Sequence, residues 1–181
     1  YSDVLLQLRL DMVARLAVNA KVLDLCCGSG DHLLFFADSI QEGIGFDYSA
    51  PFLLRGTALR DERKIDNVNF LQGNARKLPF KKNYFELIYS FSSLYHVPKV
   101  DQVIGEASRI LKTGGMSIFD LGNLYSLNTL VCRAYTELAY PYHIPVQAMK
   151  KYLIDSGLKI FEHRAFQTLP MWADRPRWLR P

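Results

Sequence analysis

The side chains best suited to chemistry in this chain fall just behind short apolar runs. Val22-Leu23-Asp24-Leu25 leads into Cys26-Cys27-Gly28-Ser29-Gly30, and Asp31-His32-Leu33-Leu34 then reads as the start of a helix. A strand, a glycine turn and a helix start bring backbone N–H groups up to a ligand, and glycine allows close approach. Asp47 ends the next run, 17 residues past Gly30, close to the ~20-residue offset at which a carboxylate meets ribose hydroxyls. It could instead cap the following helix, although Ser49 offers a cap of its own. The pattern G-x-G-x-x-G fails at Leu33, which argues against a pyrophosphate and so against nicotinamide or flavin.

The elements that must position these residues alternate in type. A first helix from Ser2 or Asp3 carries Val4, Leu5, Leu8, Met12 and Leu16 at helical spacing. Strands are expected at 21–25, 43–47, 67–72, 85–90 and 116–120, with helices from Asp31, from Ser49 and around Val103 to Leu111. Gly114-Gly115 is expected to close the last of these helical units. This alternation predicts an α/β fold: a Rossmann-like, doubly wound, mostly parallel sheet with helices on both faces. Beyond Leu121 the pattern changes. Tyr125, Tyr135, Tyr140 and Tyr142 punctuate a segment with one short helix around 127–138, which reads as a lid or substrate wall, or as packing over the sheet. A helix over 146–156 and a sixth strand over 158–166 complete the reading, and the proline-rich tail over 170–181 does not look like a domain end. The chain is expected to form one domain, with a core over about 20–120, the aromatic segment over 121–145 and the terminal part over 146–181.

Composition narrows the class. Of 181 residues, 49% are hydrophobic and 22% charged, ordinary proportions for a globular protein. No apolar run approaches the ~20 residues of a membrane span. The chain opens on Tyr1 rather than Met, which predicts that preceding residues have been removed. Cys26, Cys27 and Cys132 show no metal-ligand spacing and no disulfide framework, which points to no metal and to a reducing cytoplasm. A net charge of +4, spread along the chain, carries no nucleic-acid signal.

Five stretches in order resemble the class I S-adenosylmethionine-dependent methyltransferases, of the type 11-like kind. They are Val22 to Gly30, Gly45-Phe46-Asp47-Tyr48-Ser49, Gly73 to Phe80, Phe85 to Ser90 and Leu111-Lys112-Thr113-Gly114-Gly115. The resemblance implies S-adenosylmethionine as cofactor, bound by Asp24, the turn Cys26, Cys27, Gly28, Ser29 and Gly30, Asp47, Tyr48, Asn74, Ala75, Ser90 and Phe91. Within that set, the turn would hold the methionine part, Asp47 the ribose, Tyr48 the adenine face and Asn74 with Ala75 the adenine edge. Ser90 would meet the methionine amine through its backbone. Two positions depart from the family pattern. Cys26 stands where glycine is usual, so its backbone must avoid positive φ or be strained, and Asn74 stands where aspartate is common.

The implied reaction is methyl transfer to a small-molecule acceptor. Tyr95, His96 and Tyr125 stand on the substrate side. His96, or His143, is the candidate for a base, with packing or capping as the other reading. Two alternatives stay open: a non-catalytic cofactor-binding or regulatory domain of the same fold, and a nucleotide-cofactor oxidoreductase.

Overall fold

The computed structural model describes residues 2–127, 129–130 and 142–165. Five strands form one parallel sheet in the order β3-β2-β1-β4-β5. They are β1 (Lys21–Leu25), β2 (Glu42–Asp47), β3 (Val68–Gln72), β4 (Phe85–Ser90) and β5 (Leu111–Phe119). Leu23 of β1 sits opposite Ile44 on one side and Ile88 on the other. The chain therefore winds outward from β1 through β3, then returns to lay β4 against the other edge of β1. That reversal opens a crevice at the carboxyl ends of β1 and β4, the place where open α/β sheets bind ligands.

Both faces are covered. On one, Val22, Leu87 and Tyr89 pack with Val13 and Ala17 of α1 (Ser2–Ala17) and with Leu33 and Leu34 of α2 (Asp31–Phe35). Leu59 of α3 (Ala50–Glu62) joins this layer. On the other, Leu23, Leu25, Phe46 and Ile88 meet Val103, Ile104, Ala107 and Ile110 of α4 (Val100–Ile110), with Met149 of α5 (Val146–Asp155) behind them. Strands buried on both faces explain why their sequence is apolar throughout rather than alternating.

Three expectations are corrected. The α1 stripe through Met12 and Leu16 is not the buried one: Leu16 is exposed, while Val13 and Ala17 are fully buried. The buried face also carries Arg9, one turn before Val13, so a charge interrupts the apolar pattern that would have marked it. Gly114-Gly115 does not end a helix but lies in a bulge of β5, where pairing jumps from Phe85↔Leu111 to Leu87↔Met116. No strand forms over 158–165, whose side chains are almost all exposed and find no strand to pair with among the described residues. The helix expected from Asp31 forms as α2, with only five residues, too short to build much of a dipole at its start.

Most of the short helix expected over 127–138 lies outside the described residues, as do Cys132, Tyr135, Tyr140 and the tail. Leu127 itself is helical. The ends of the aromatic segment fold back together: Asn123 bridges Ile144, and the Tyr142 N–H donates to Tyr95 O at 2.6 Å. No helix among the described residues is long and apolar enough to cross a membrane.

Candidate functional site

The turn after β1 is held from three sides. The N–H groups of Cys26 and Cys27 both donate to Phe46 O, at 2.7 and 3.2 Å, tying the turn to β2. The Ser93 hydroxyl lies 3.0 Å from Cys26 O, tying it to the loop after β4. The Gly28 N–H donates to Asp47 Oδ2 at 2.8 Å. Cys26, Gly28 and Gly30 have φ of 62°, 58° and 70°, so every second residue of the turn is left-handed. For Cys26 this is the strained outcome, since an L side chain in that region costs roughly 1–2 kcal/mol.

The two glycines do different work. A Cβ on Gly28 would meet nothing within 4 Å, whereas one on Gly30 would stand 2.3 Å from the Phe70 ring. Gly45 and Gly56 flank the same ring, with Cβ positions 2.6 and 2.8 Å from it. Gly30 thus lets β3, α2 and α3 close around Phe70, while Gly28 keeps open space above the turn. The close-packing role that a third glycine would serve in a dinucleotide fingerprint is met here by Gly30 and Phe70 together.

Asp47 is the hinge of the site. Besides Gly28, its carboxylate accepts from the Ser49 N–H at 2.8 Å. Ser49, expected to cap α3, makes no side-chain cap bond; the carboxylate two residues earlier holds the approach to the helix instead. With about four acceptor positions on a carboxylate and two in use, two remain for hydroxyl donors.

A cavity of ≈ 460 Å³ opens at the crevice. Its lining brings together Asp24, Cys26, Cys27, Gly28, Asp47, Tyr48, Phe91 and His96 of the expected residues. Ser29 and Gly30 lie behind the turn, with the Ser29 hydroxyl turned to Asp31 at 2.5 Å. Asn74 Oδ1 accepts from the Arg76 N–H at 3.0 Å, and the Ala75 side chain is buried in the core. Ser90 is fully buried outside the lining, and its backbone oxygen accepts the Asp120 N–H at 3.1 Å. Tyr95 packs its ring 4.5 Å from that of His96 and 5.7 Å from that of His143, outside the lining. Tyr125 is 77% exposed. His32, Phe52, Ser93 and Val97 also line the cavity and were not expected. Ser93 and Val97 sit in the loop after β4, where only the fold decides which side chains turn inward.

Electrostatics set the character of the walls. Burial, with help from the Asp47 charge, pushes the Asp24 carboxyl up to about 8, against a Tyr89 hydroxyl donating at 3.1 Å. Asp24 is therefore largely protonated at neutral pH. Burial pushes Cys26 up to about 12 and Cys27 further still, with the two carboxylates adding to the shift. Both thiols stay protonated, which makes them poor nucleophiles and poor metal ligands. Burial, chiefly, and the Arg9 charge hold His32 below its ordinary value. No group of three metal-ligating side chains stands together among the described residues.

An open parallel sheet with a concave, mixed polar and apolar cleft at its point of strand reversal defines a cofactor-binding α/β domain. Residues 22–115, just over half of the chain, match the family described as Methyltransferase domain, and the chain belongs to that family, the class I S-adenosylmethionine-dependent methyltransferases. Over 103 residues it is 43% identical to a demethylmenaquinone methyltransferase of Lactiplantibacillus plantarum, covering 55% of this chain and 44% of that protein. The chain thus spans less than half the length of this curated relative. Among solved structures, an S-adenosylmethionine dependent methyltransferase from Mesorhizobium loti superposes with a TM-score of 0.73 at 20% identity, over 94% of this chain and 89% of that one. The cyclase SpnF superposes with a TM-score of 0.69 at 22% identity, over 84% and 57%. At these identities the likeness is one of fold, and the residues of the site must carry the functional argument.

Proposed function

We propose that this chain binds S-adenosylmethionine in the cleft and directs its methyl group to a small organic acceptor. The observation that carries this reading is the pairing of Gly28 with Asp47: open space above a left-handed glycine, beside a carboxylate with acceptor positions to spare. Asp47 would take the ribose hydroxyls, Tyr48 and Phe52 the adenine faces, and the turn from Cys26 to Gly30 the methionine part. Asn74 and Ala75 would meet the adenine edge, and the Ser90 backbone the amine. When bound, the cofactor supplies an activated methyl group on a positively charged sulfur. What the chain itself contributes is positioning and exclusion of water by Phe91 and Val97.

On the acceptor side stand His96, at the mouth of the cleft, with Tyr95 beside it and Tyr125 beyond. His96 is the candidate to take a proton from an oxygen or nitrogen acceptor. The demethylmenaquinone methyltransferases among its relatives make demethylmenaquinone the first acceptor to try. A cytoplasmic setting belongs to the same reading and rests on the scattered cysteine positions in the sequence.

Calorimetry with S-adenosylhomocysteine tests the reading. The unaltered chain should bind, and Asp47→Ala should weaken binding about 100-fold, as expected for two lost bonds to a charged acceptor. Protection of the fold by a nicotinamide cofactor instead, with no response to S-adenosylhomocysteine, would refute it.

A further inference from the structure

Arg9 of α1 reaches the loop after β4 that walls the cleft. Its side chain is only 15% exposed. One guanidinium nitrogen, Nη2, donates to Asp120 Oδ2, just past β5, and to Ser92 Oγ at 2.7 Å. The guanidinium also lies over the Phe91 ring, 5.3 Å from its centroid. Asp120 completes the link, because its Oδ1 accepts the Ser92 N–H at 2.6 Å and its own N–H donates to Ser90 O at 3.1 Å. Ser92 is held at a φ of 54°, a left-handed conformation that a free loop would relax. On either side of Ser92 stand Phe91 and Ser93, both in the cavity lining, and the Phe91 ring meets the His32 ring edge-on at 5.8 Å.

Arg9 and Asp120 both lie outside residues 22–115, the part that matches the family. Burying a guanidinium is costly unless it is paired and hydrogen-bonded. Arg9 bears part of that cost, since its Nε is one of two buried side-chain polar atoms without a partner among the described residues. A simple packing role for this face of α1 would be served better by an apolar residue, as Val13 and Ala17 serve it one and two turns later.

We propose that Arg9 is a positioning residue: through Asp120 and Ser92 it holds Phe91 and Ser93 in the shape that closes the cleft against the turn after β1. The consequence for binding rests on the proposed cofactor, whereas the consequence for the loop does not. Arg9→Met in the full chain, at a temperature well below its unfolding midpoint, should bind S-adenosylhomocysteine about tenfold more weakly, the size of one lost charged bond. Asp120→Asn should weaken it similarly, and the double variant should lose little more, because both act through the same link. Arg9→Lys, which keeps the charge but not the fork, should recover part of the loss.

Hydrogen exchange at the Ser92 amide gives a second readout that needs no ligand. Exchange should quicken at least tenfold in Arg9→Met, with β1 and β2 amides unchanged, as expected for a local opening. A lowered midpoint with unaltered affinity and unaltered Ser92 exchange would reduce Arg9 to packing and overturn the proposal. If the unaltered chain bound no S-adenosylhomocysteine, the cofactor reading would fall, while Ser92 exchange would still decide whether Arg9 sets the loop.

Discussion

The two ends of the sheet are built on opposite terms. At the amino ends, charges meet their partners. Lys21 Nζ lies 3.1 Å from Glu42, the Tyr84 hydroxyl donates to Glu42 at 2.9 Å, and Glu86 takes both the Lys21 N–H at 2.8 Å and the Lys112 ammonium. At the carboxyl ends, two carboxyl groups, Asp24 and Asp47, face one cavity. Among the described residues, both unpartnered buried polar atoms, Arg9 Nε and Ser90 Oγ, lie at that edge. The same five strands thus carry a satisfied end and an unsatisfied one. Unmet polar groups persist only where surrounding structure enforces them, and here they gather where a ligand would sit.

The largest test of that contrast is Asp24. Its folded carboxyl, at about 8, lies above the 3.8 of an unfolded chain. The folded state therefore keeps a proton that the unfolded state releases between those values. Stability from this group is complete below about pH 4, falls as pH rises through the window and levels off above 8, by several kcal/mol in all. Asp120, also raised chiefly by burial, adds a slope of the same sign. Asp24→Asn, followed by urea unfolding from pH 5 to 8 without cofactor, should flatten most of the decline. Parallel slopes in the two proteins would mean that Asp24 ionises freely and that the carboxyl end is better satisfied than its geometry implies.

Next in size comes a comparison within the turn. Gly30→Ala drives a methyl into the Phe70 ring at a left-handed position, and that ring is boxed in by Gly45 and Gly56. A loss of about 3 kcal/mol in stability is expected, combining overpacking with backbone strain. Gly28→Ala meets no neighbour, so its stability loss should stay near 1 kcal/mol. Its methyl projects into open space above the turn, however, and should weaken S-adenosylhomocysteine at least tenfold. Denaturant midpoints and calorimetry on both variants check this. Equal losses of stability would remove the distinction between a glycine for packing and one for binding.

Much of this was legible in the sequence, and the exceptions share a cause. The five strands, the parallel α/β class and the meeting of Gly28 with Asp47 at one crevice follow from local periodicity and from the rule that ligands gather behind strand ends. What local pattern missed depends on residues brought from far away. Arg9 sits on the buried face of α1 because Asp120, 111 residues later, receives it; read locally, that face is broken by a charge and the wrong stripe looks apolar. His32, Phe52 and Ser93 enter the cavity through the packing of three separate elements. The β5 bulge hides in a glycine pair that reads equally well as a helix stop. The sixth strand was expected from composition alone, whereas a strand needs a partner to pair with.

The smallest predicted effect sharpens the comparison most cheaply. Lys112 and Glu86 form an ion pair at the amino end, with side chains 41% and 36% exposed. Exposed pairs of this kind contribute at most ~1 kcal/mol, and salt screens them. Glu86 keeps the Lys21 N–H when the ammonium is removed, so Lys112→Ala leaves no orphaned carboxylate. A shift of less than about 1 kcal/mol in the unfolding free energy is expected, shrinking further in 1 M salt. Affinity for S-adenosylhomocysteine should stay unchanged, because no residue of this pair lines the cavity. Should Lys112→Ala weaken binding as Asp47→Ala does, the two ends are energetically one unit, and the division of labour along the strands fails. If only the salt-dependent part of stability moves, the amino end is support and the carboxyl end is the site.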